Sequence, residues 1–347
     1  MRNLKTKFMG FEIDNPIVVG ASNMITNLDN LKKAEECGAA AVVYKSLFEE
    51  QIQLERLQLD EELTEYDDIY AEMLTIHPHA EHAGAQEHLF NLRKAKESVS
   101  IPVIASLNAV NNTTWIDYAK LIEQTGVDGI ELNFYPTISE MELDANVIEN
   151  KQIHIVKEVK QSVSIPVSVK LSSDYTNAMN LIKKLDFIGV DTFVLFNSFF
   201  QPDIDIVNEI HIEKYNFSNP GDYKKSLRYA GLLYGNIQAD ICSSHGVFTG
   251  ADVIKLILSG ASSVQVVSAL YRNGISQISN MKSELEAWMA EKGYNSIDDF
   301  KGKLSKNALQ NNPFIYKRAQ YIDLLLNAED IFGNKKNEFD LYKATGI

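Results

Sequence analysis

One pattern repeats along the chain: a short run rich in β-branched residues, a polar turn, and a segment with helical periodicity. The predicted strands are 16–21, 40–46, 102–108, 129–133, 166–172, 192–198, 238–244 and 263–268. Most of them are apolar on successive residues, which is typical of strands covered on both faces. Alternating strands and helices imply a parallel sheet, and eight such units favour a closed (β/α)8 TIM barrel, an α/β fold, over an open doubly wound sheet.

Helices are predicted between the strands, at 28–38, 114–126, 150–162, 177–189, 250–260 and 279–293. Two longer segments break the rhythm: an acidic, helix-prone insertion at 48–91, and an insertion rich in Pro, Asp and aromatic residues at 199–225. They follow the second and the sixth strand, so we expect both to lie as lids over the C-terminal mouth of the barrel. Because no linker is visible, we interpret residues 1–347 as one domain with a polar C-terminal extension at 298–347.

Charge and cysteine content argue against several classes of partner and site. Asp plus Glu number 47 and Lys plus Arg 33, and the resulting net charge of -14 would repel nucleic acid and anionic membranes. No apolar run is long enough to cross a bilayer, and no signal-peptide core is present. The two cysteines, Cys37 and Cys242, lie far apart in no metal-like spacing. We therefore expect a cytoplasmic protein with two reduced thiols.

In a barrel of this kind, the chemistry lies at the C-terminal ends of the strands. Polar residues stand at those ends throughout the chain: Ser22, Asn23, Lys45, Ser46, Asn108, Asn133, Tyr135, Lys170, Ser172, Asn197, Ser198, Ser243, Ser244, His245 and Ser268. Charged side chains rarely point into a core without a partner, so Lys45 and Lys170 indicate an anionic or electron-rich ligand. The alternative is that they pair with a barrel carboxylate such as Glu131.

The last two strands carry a pattern that is typical of phosphate binding. The stretches SSHGVFTGADV (243–253) and VVSALYRNG (266–274) combine small residues with a helix start, so that backbone N–H groups can face an anion. Phosphate sites after strands seven and eight are common in this fold. Neither G-x-G-x-x-G nor G-x-x-x-x-G-K-[ST] follows any strand, which argues further against a nucleotide-binding open sheet.

Taken in order, several segments resemble those of the dihydroorotate dehydrogenase family: NPIVVGASN, YKS, ELNFYP, VSVKLS, FNS, GVFTGADV and SALYRNG. So do LKTKFMGFEIDNP, an N-terminal hairpin in that family, and GYNSIDDFKGKL at 293–304. The resemblance covers nearly the whole chain apart from the two insertions and the far C-terminus. It implies a flavoprotein oxidoreductase in which FMN lies across the top of the barrel, with its phosphate between the last two strands.

The resemblance also implies roles for individual residues. Ala21 and Ser22 would lie under the flavin, and Lys45 would contact its ring system. Lys170 would stand near the flavin N1, where a cation stabilises the negative charge of the reduced cofactor. The remaining assignments place Ser46 and Asn108 in the cofactor site, Gly246, Val267 and Ser268 at the phosphate, and Asn133, Asn197 and Ser198 at the substrate ring.

The family's base motif, Asn-x-Ser-Cys-Pro-Asn or its Ser variant, is replaced here by the shorter NFYPT. Aligned on the proline, Tyr135 takes the base position and Thr137 replaces a substrate-binding Asn; aligned on Asn133, the base is missing. To be mostly ionised at neutral pH, a phenol needs its pKa lowered by roughly 3 units, about 4 kcal/mol. A neutral phenol already suits proton donation. Our hypothesis is that Tyr135 is a general acid in the reduction of an activated C=C bond; the alternative is that it stacks or hydrogen-bonds at the pocket wall.

Two further motifs of the family are altered. The phosphate glycines are thinned to SSHG and VVS, and the substrate-loop motif Asn-x-Met-Gly-Leu-Pro-Asn gives way to a histidine-rich insertion with His77, His79, His82 and His88. The histidine spacing matches no established zinc motif, and Pro78 interrupts the helix. We therefore predict no metal site and interpret this segment as a lid that presents a histidine to the substrate.

The leading hypothesis is an FMN oxidoreductase that acts on a CH–CH or C=C bond of a small, anionic ring substrate. The alternatives are an orthodox dihydroorotate dehydrogenase of pyrimidine biosynthesis, a Schiff-base lyase that uses Lys170, and a flavin-binding barrel without turnover. The electron partner would be soluble: fumarate, NAD through an iron–sulfur subunit, or a ferredoxin-type carrier. No cysteine cluster is present, so any iron–sulfur centre belongs to another chain. The resemblance also implies a homodimer.

Overall fold

The computed structural model describes residues 2–53, 84–108, 111–134, 141–198, 202–212 and 217–309, together with Tyr316 and Ile322. Its strands are β1 (Thr6–Phe8), β2 (Phe11–Ile13), β3 (Ile17–Val19), β4 (Ala41–Phe48), β5 (Val103–Asn108), β6 (Gly129–Asn133), β7 (Val167–Leu171), β8 (Thr192–Leu195), β9 (Asp203–Asp205), β10 (Ile210–Ile212), β11 (Asp240–Ser244) and β12 (Ser263–Val266).

A closed barrel of parallel strands forms the centre of the molecule, in the order β3, β4, β5, β6, β7, β8, β11 and β12. The barrel closes because β12 pairs with β3 as well as with β11. Each of the predicted strands overlaps one of these, so the (β/α)8 TIM barrel is confirmed. The strands predicted at 16–21 and 192–198 are each three residues shorter in the structure; the second ends at Leu195, and the residues after it line the barrel mouth.

Helices of the described residues cover the outside of the barrel: α1 (Leu28–Glu36), α2 (Ala85–Ser98), α3 (Asn112–Glu123), α4 (Ala145–Ser162), α5 (Ala178–Ile188), α6 (Lys224–Leu233), α7 (Gly250–Ser259), α8 (Ser268–Asn273) and α9 (Gln277–Lys292). The helices bury apolar residues, as α5 does with Leu181, Ile182 and Leu185, while α9 packs mainly on its neighbour α7. None of these helices is long and apolar enough to span a membrane.

Helix α2 corrects the predicted extent of the first insertion. Residues 85–91 were expected in the lid, but they form the first half of this helix. The reason is an apolar stripe at helical spacing, in which Ala85, Leu89, Leu92 and Ala95 are buried. The insertion between β4 and this helix is therefore shorter than 48–91, and residues 54–83 lie outside the described part of the chain.

The hairpin of β1 and β2 closes the N-terminal end of the barrel. Phe8, Met9 and Ile13 are buried and pack on interior side chains of the barrel such as Val43. The Met9 backbone N–H donates to Thr192 Oγ1 at 2.9 Å, which ties the hairpin to β8. With this end filled by apolar side chains, the C-terminal mouth is where the barrel can accept a ligand.

The second insertion begins after β8, as predicted, and contains the antiparallel hairpin of β9 and β10. Its last residues, from Phe217 onward, return to the barrel mouth and lead into α6. The start of the C-terminal extension packs on the barrel, because Gly302 and Leu304 donate backbone hydrogen bonds to Ile257 and Leu258 of α7.

Candidate functional site

A cavity of about 480 Å³ opens at the C-terminal ends of the barrel strands. It brings together every predicted cofactor and substrate residue that the structure describes: Ala21, Ser22, Lys45, Ser46, Asn108, Asn133, Lys170, Asn197, Ser198, Gly246, Val267 and Ser268. These residues come from strands all around the barrel and are far apart in sequence. They meet because parallel strands deliver their C-terminal ends to the same mouth.

The floor of the cavity holds a buried chain of charged and polar groups. Lys170 Nζ donates to Gln265 Oε1 at 3.0 Å and lies 3.7 Å from Glu131 Oε1. Gln265 Nε2 donates in turn to Glu131 Oε2 at 2.5 Å. The three residues stand on β7, β12 and β6, and all are buried. The pairing of Lys170 with a barrel carboxylate is therefore confirmed, and the same lysine also lines the cavity.

The second lysine, Lys45, lines the cavity from β4 and has a different neighbourhood. The next residue, Ser46, shares a 2.7 Å hydrogen bond with Ser106 of β5. Behind this strand lies His88, whose pKa falls to about 4 because the ring is buried and because Lys45 is positively charged. His88 packs edge-on against Tyr44. It is thus a core histidine beneath the site, not a lid residue.

One side of the cavity is built from side-chain amides. Asn197 Nδ2 donates to Asn133 Oδ1 at 2.8 Å, and Asn108 Nδ2 donates to the backbone carbonyl of Asn133 at 3.0 Å. The Ser198 backbone N–H donates to Asn197 Oδ1 at 2.9 Å. These bonds fix the orientation of each amide, and they leave further donors and acceptors for a ligand with ring N–H and C=O groups.

The opposite side is built mainly from backbone groups and hydroxyls. The Gly246 N–H donates to Ser218 Oγ at 3.1 Å, and the Ser218 N–H donates to Ser268 Oγ at 3.1 Å. Gly246 has a left-handed φ of 72°, and an added Cβ would lie 2.7 Å from the Tyr223 nitrogen. Only glycine fits that position without displacing the chain.

The predicted anion site at the helix start after β11 needs a correction. The first turn of α7 is already satisfied by the protein, because Gly250 N–H donates to Glu284 Oε2 at 2.6 Å and Thr249 forms a capping box with Asp252. The cavity is lined instead by Gly246 and by Val267 and Ser268, at the start of the short helix α8, whose N-cap makes no side-chain hydrogen bond. The assigned residues lie on the cavity, but this helix N-terminus does not serve them.

His245 stands within SSHG, the stretch that replaces a glycine-rich motif of the family, and it adopts a backbone conformation that favours glycine. It keeps a left-handed φ of 76°, a conformation that costs a non-glycine residue of order 1–3 kcal/mol. Its Nε2 lies 3.6 Å from Asp222 Oδ2. Burial lowers the pKa of His245, Asp222 opposes this shift, and Lys170 adds to it.

Several residues of the cavity were not predicted, and they differ in how visible they are in the sequence. Gln265 is a polar residue in the middle of the apolar run SVQVVS, which is a signal for an interior polar partner. Ser218, Phe217 and Tyr271 offer no comparable signal, since two of them come from the second insertion. Two predictions lie outside the described residues: the role of Tyr135, and the lid histidines 77, 79 and 82.

A barrel with two lysines, fixed amides and small residues at its mouth is typical of a class: enzymes that bind a phosphorylated ligand at the strand ends. Comparison with known proteins identifies the family. The sequence model described as dihydroorotate dehydrogenase matches residues 79–289, and the chain belongs to this family.

Individual relatives cover most of the chain. The catalytic subunit of dihydroorotate dehydrogenase B (NAD(+)) from Thermoplasma acidophilum is 26% identical over 306 residues, which cover 87% of this chain and 99% of that protein. Its counterpart from Thermoplasma volcanium is 28% identical over 307 residues, with 87% and 98% coverage. NAD-dependent dihydropyrimidine dehydrogenase subunit PreA of Escherichia coli is 23% identical over 323 residues, with 88% and 78% coverage.

Members of this family are FMN-dependent oxidoreductases, and the residues of the cavity fit that cofactor. Ser22 Oγ is buried on the cavity wall and has no hydrogen-bond partner within the described residues. A buried hydroxyl without a partner is unfavourable, so a ligand group is expected there. Gly20, two residues before Ser22, lets Val267 pack closely on the chain, since a Cβ there would lie 2.7 Å from Val267 Cγ2. The floor supplies a buried cation in Lys170 for an electron-rich ring.

Proposed function

We propose that this chain is an FMN-dependent oxidoreductase that acts on a CH–CH or C=C bond of a small, anionic ring substrate. The observation that carries the proposal is the single cavity that joins the Lys170 floor, the amide side and the Gly246 side. Each region suits one chemical group: the floor an electron-rich ring, the amide side a polar substrate ring, and the Gly246 side a phosphate.

The floor and the Gly246 side would hold the cofactor. Lys45 and Lys170 would meet the flavin ring, with Ala21 and Ser22 beneath it and Ser46 and Asn108 beside it. Gly246, Val267 and Ser268 would receive the phosphate, with Ser218 of the second insertion next to them. Bound FMN supplies the hydride chemistry that no side chain can perform.

The amide side would bind and orient the substrate. Asn133 and Asn197 hold each other at 2.8 Å, so their remaining polar atoms are already positioned before a ligand arrives. Ser198 follows as an exposed residue at the rim. Tyr135 comes two residues after Asn133, and we propose that it donates a proton to the substrate carbon.

The names of the relatives support a pyrimidine-type ring and a partner chain. They refer to dihydroorotate and dihydropyrimidine dehydrogenases, and two are named as catalytic subunits that use NAD(+). We propose a soluble electron partner for this chain, with fumarate, NAD through an iron–sulfur subunit, and a ferredoxin-type carrier as the candidates. With two cysteines in the sequence, an iron–sulfur centre would have to come from that partner. A homodimer is part of the same proposal.

The first test is the visible spectrum of the purified protein, recorded anaerobically before and after addition of dihydroorotate. We expect flavin bands in the starting sample. Bleaching by dihydroorotate would establish orthodox dihydroorotate oxidation. Bands that persist would leave the flavoprotein with another substrate, to be sought among electron donors and unsaturated acceptors. A colourless protein that also fails to take up added FMN would refute the proposal.

A second test addresses Tyr135. Replacing Tyr135→Phe removes the acidic proton and keeps the ring. If the tyrosine is the acid, reoxidation of the reduced protein by its unsaturated substrate slows by about 100-fold or more. An unchanged rate would show that the tyrosine only lines the wall.

The lyase alternative is disfavoured by the surroundings of Lys170. An imine-forming lysine must present a neutral amine. Here the Nζ atom donates to Gln265 at 3.0 Å and has a buried carboxylate at 3.7 Å, which is a setting for an ammonium ion. Borohydride in the presence of a keto acid is therefore expected to trap no covalent adduct.

A further inference from the structure

Glu131 is a fully buried carboxylate in the middle of the barrel, directly beneath the cavity floor. Its Oε2 accepts a hydrogen bond from Gln265, whereas its Oε1 has no hydrogen-bond partner among the described residues. The cation that faces this oxygen is Lys170 Nζ, at 3.7 Å. A buried carboxylate is costly unless a charge balances it, so its presence under the site calls for an explanation.

Gln265 lies between the two charges with a defined orientation. Its carbonyl oxygen faces the ammonium at 3.0 Å and its N–H group faces the carboxylate at 2.5 Å. The reversed amide would place N–H against an ammonium, which has no acceptor. Gly20 also gives Gln265 space, since a Cβ there would lie 3.3 Å from Oε1, a tight contact. The amide thus acts as a neutral spacer that keeps the ion pair from closing into a direct hydrogen bond.

We propose that Glu131 is a positioning residue that, through Gln265, sets how much of the positive charge of Lys170 reaches the bound flavin. The inference rests on the proposed function, because it requires FMN above Lys170. Because both side chains are buried, a carboxylate 3.7 Å from the ammonium cancels a large part of its field. The reduced cofactor carries a negative charge, which Lys170 stabilises. Glu131 therefore holds the midpoint potential of the flavin below the value that an unbalanced lysine would give.

A neighbouring thiol already responds to both charges. Burial raises the pKa of Cys242 to about 12; a hydrogen bond with Ser263 opposes the shift, Glu131 adds to it and Lys170 opposes it. The two charges therefore act together on the same buried volume, with opposite signs.

The test is a double-mutant cycle on the midpoint potential of bound FMN, measured by anaerobic reductive titration against a reference dye. Glu131→Gln keeps the shape and removes the charge, so we expect the potential to shift to more positive values. With Lys170→Met already present, a buried carboxyl without a counter-charge is neutral, and adding Glu131→Gln should change nothing. Ser168→Ala is the matched control, because Ser168 is the cross-strand neighbour of Glu131 and its buried hydroxyl has no partner in the described residues.

A second variant keeps the test decisive if Glu131→Gln does not fold. Gln265→Met removes the spacer and leaves both charges, so the pair can close, and the potential should shift to more negative values. The inference is overturned if Glu131→Gln matches the Ser168→Ala control, if it shifts the potential equally with and without Lys170, or if Gln265→Met shifts it positively. A wild-type protein that binds no FMN would instead refute the proposed function, before any variant is compared.

Discussion

The two sides of the cavity are built by different means. On the Gly246 side, the cavity is lined by backbone groups and small hydroxyls, and the N–H groups of Gly246 and Ser218 donate to the hydroxyls of Ser218 and Ser268. On the amide side, the groups are the side chains of Asn108, Asn133 and Asn197, which bond to one another. A backbone donor survives a change of side chain, whereas a side-chain amide does not.

This difference explains how the chain departs from its family. Fewer glycines are present than in the family's phosphate motifs, with SSHG and VVS in their place, and His245 and Gly246 both adopt a left-handed backbone. On the amide side, the asparagines are kept as residues while the motif that follows them is shortened to NFYPT. The cofactor side therefore tolerates drift in sequence, and changes in substrate chemistry are expected to come from the amide side and the segments next to it.

The largest effect is expected from Lys170→Met, because Lys170 lies beneath both sides. The change removes the counter-charge of the buried Glu131, whose carboxyl must then take up a proton, and removing one partner of a buried pair costs about 3–5 kcal/mol of stability. Both FMN affinity and substrate-driven bleaching should fall, and the urea midpoint should drop. Lys157→Met on the outer wall is the control, since Lys157 is exposed and makes no ion pair with the described residues. Unchanged FMN binding in Lys170→Met would remove the lysine from the cofactor site.

Gly246→Ala should break the backbone-built side selectively. The added Cβ meets backbone at 2.7 Å and φ is 72°, so we expect a loss of about 1–3 kcal/mol and weaker FMN binding. Gly189→Ala is the matched control: φ is 95° there, but no atom lies within 4 Å of the added Cβ. Calorimetry and FMN titration separate the two variants. If both lose the same stability and neither loses FMN, the close approach at Gly246 has no role in binding.

A change on the amide side should weaken substrate binding and leave FMN binding intact, the opposite of what we expect for Gly246→Ala. Asn197→Ala removes the 2.8 Å bond to Asn133 and the acceptor for the Ser198 N–H. Losing bonds of this kind costs about 1–3 kcal/mol, so we expect KM for the substrate to rise roughly tenfold or more. FMN affinity should stay within about twofold. Asn180→Ala, at an exposed position on α5, controls for loss of an asparagine elsewhere. An equal loss of FMN affinity would show that the two sides are not separable.

The barrel could be predicted from the sequence because successive apolar residues and helical stripes are local signals. Lys170, Asn133 and the other strand-end residues could also be predicted, since a closed parallel barrel gathers all such ends at one mouth. Helix α2 was missed where its buried stripe begins inside an acidic, histidine-rich segment, and its buried His88 was read as part of a lid.

What could not be predicted depends on long-range placement. Ser218 contacts Gly246 because the second insertion folds back to the end of β11. No hydrophobic periodicity in the sequence predicts this contact. Gln265 is visible as a polar residue inside an apolar strand, but its two partners come from β6 and β7, on the other side of the barrel. Sequence patterns gave the positions of the strand ends, and the contacts across the barrel required the structure.

The smallest effect should come from His245, where the backbone-built side carries a titratable group. Because burial lowers its pKa in the folded chain, the unfolded chain takes up the proton more readily. The free energy of unfolding should therefore fall as pH drops below about 6.5, the usual histidine value. His245→Asn removes the contribution of this histidine, so the free energy of unfolding of the variant should depend less on pH than that of the wild type. His88, whose pKa lies at about 4, acts in the same direction in both proteins and cancels in the difference. Parallel pH profiles of the two proteins would contradict this prediction. They would mean that Asp222 stabilises the protonated His245 in the folded chain as well as water does in the unfolded chain.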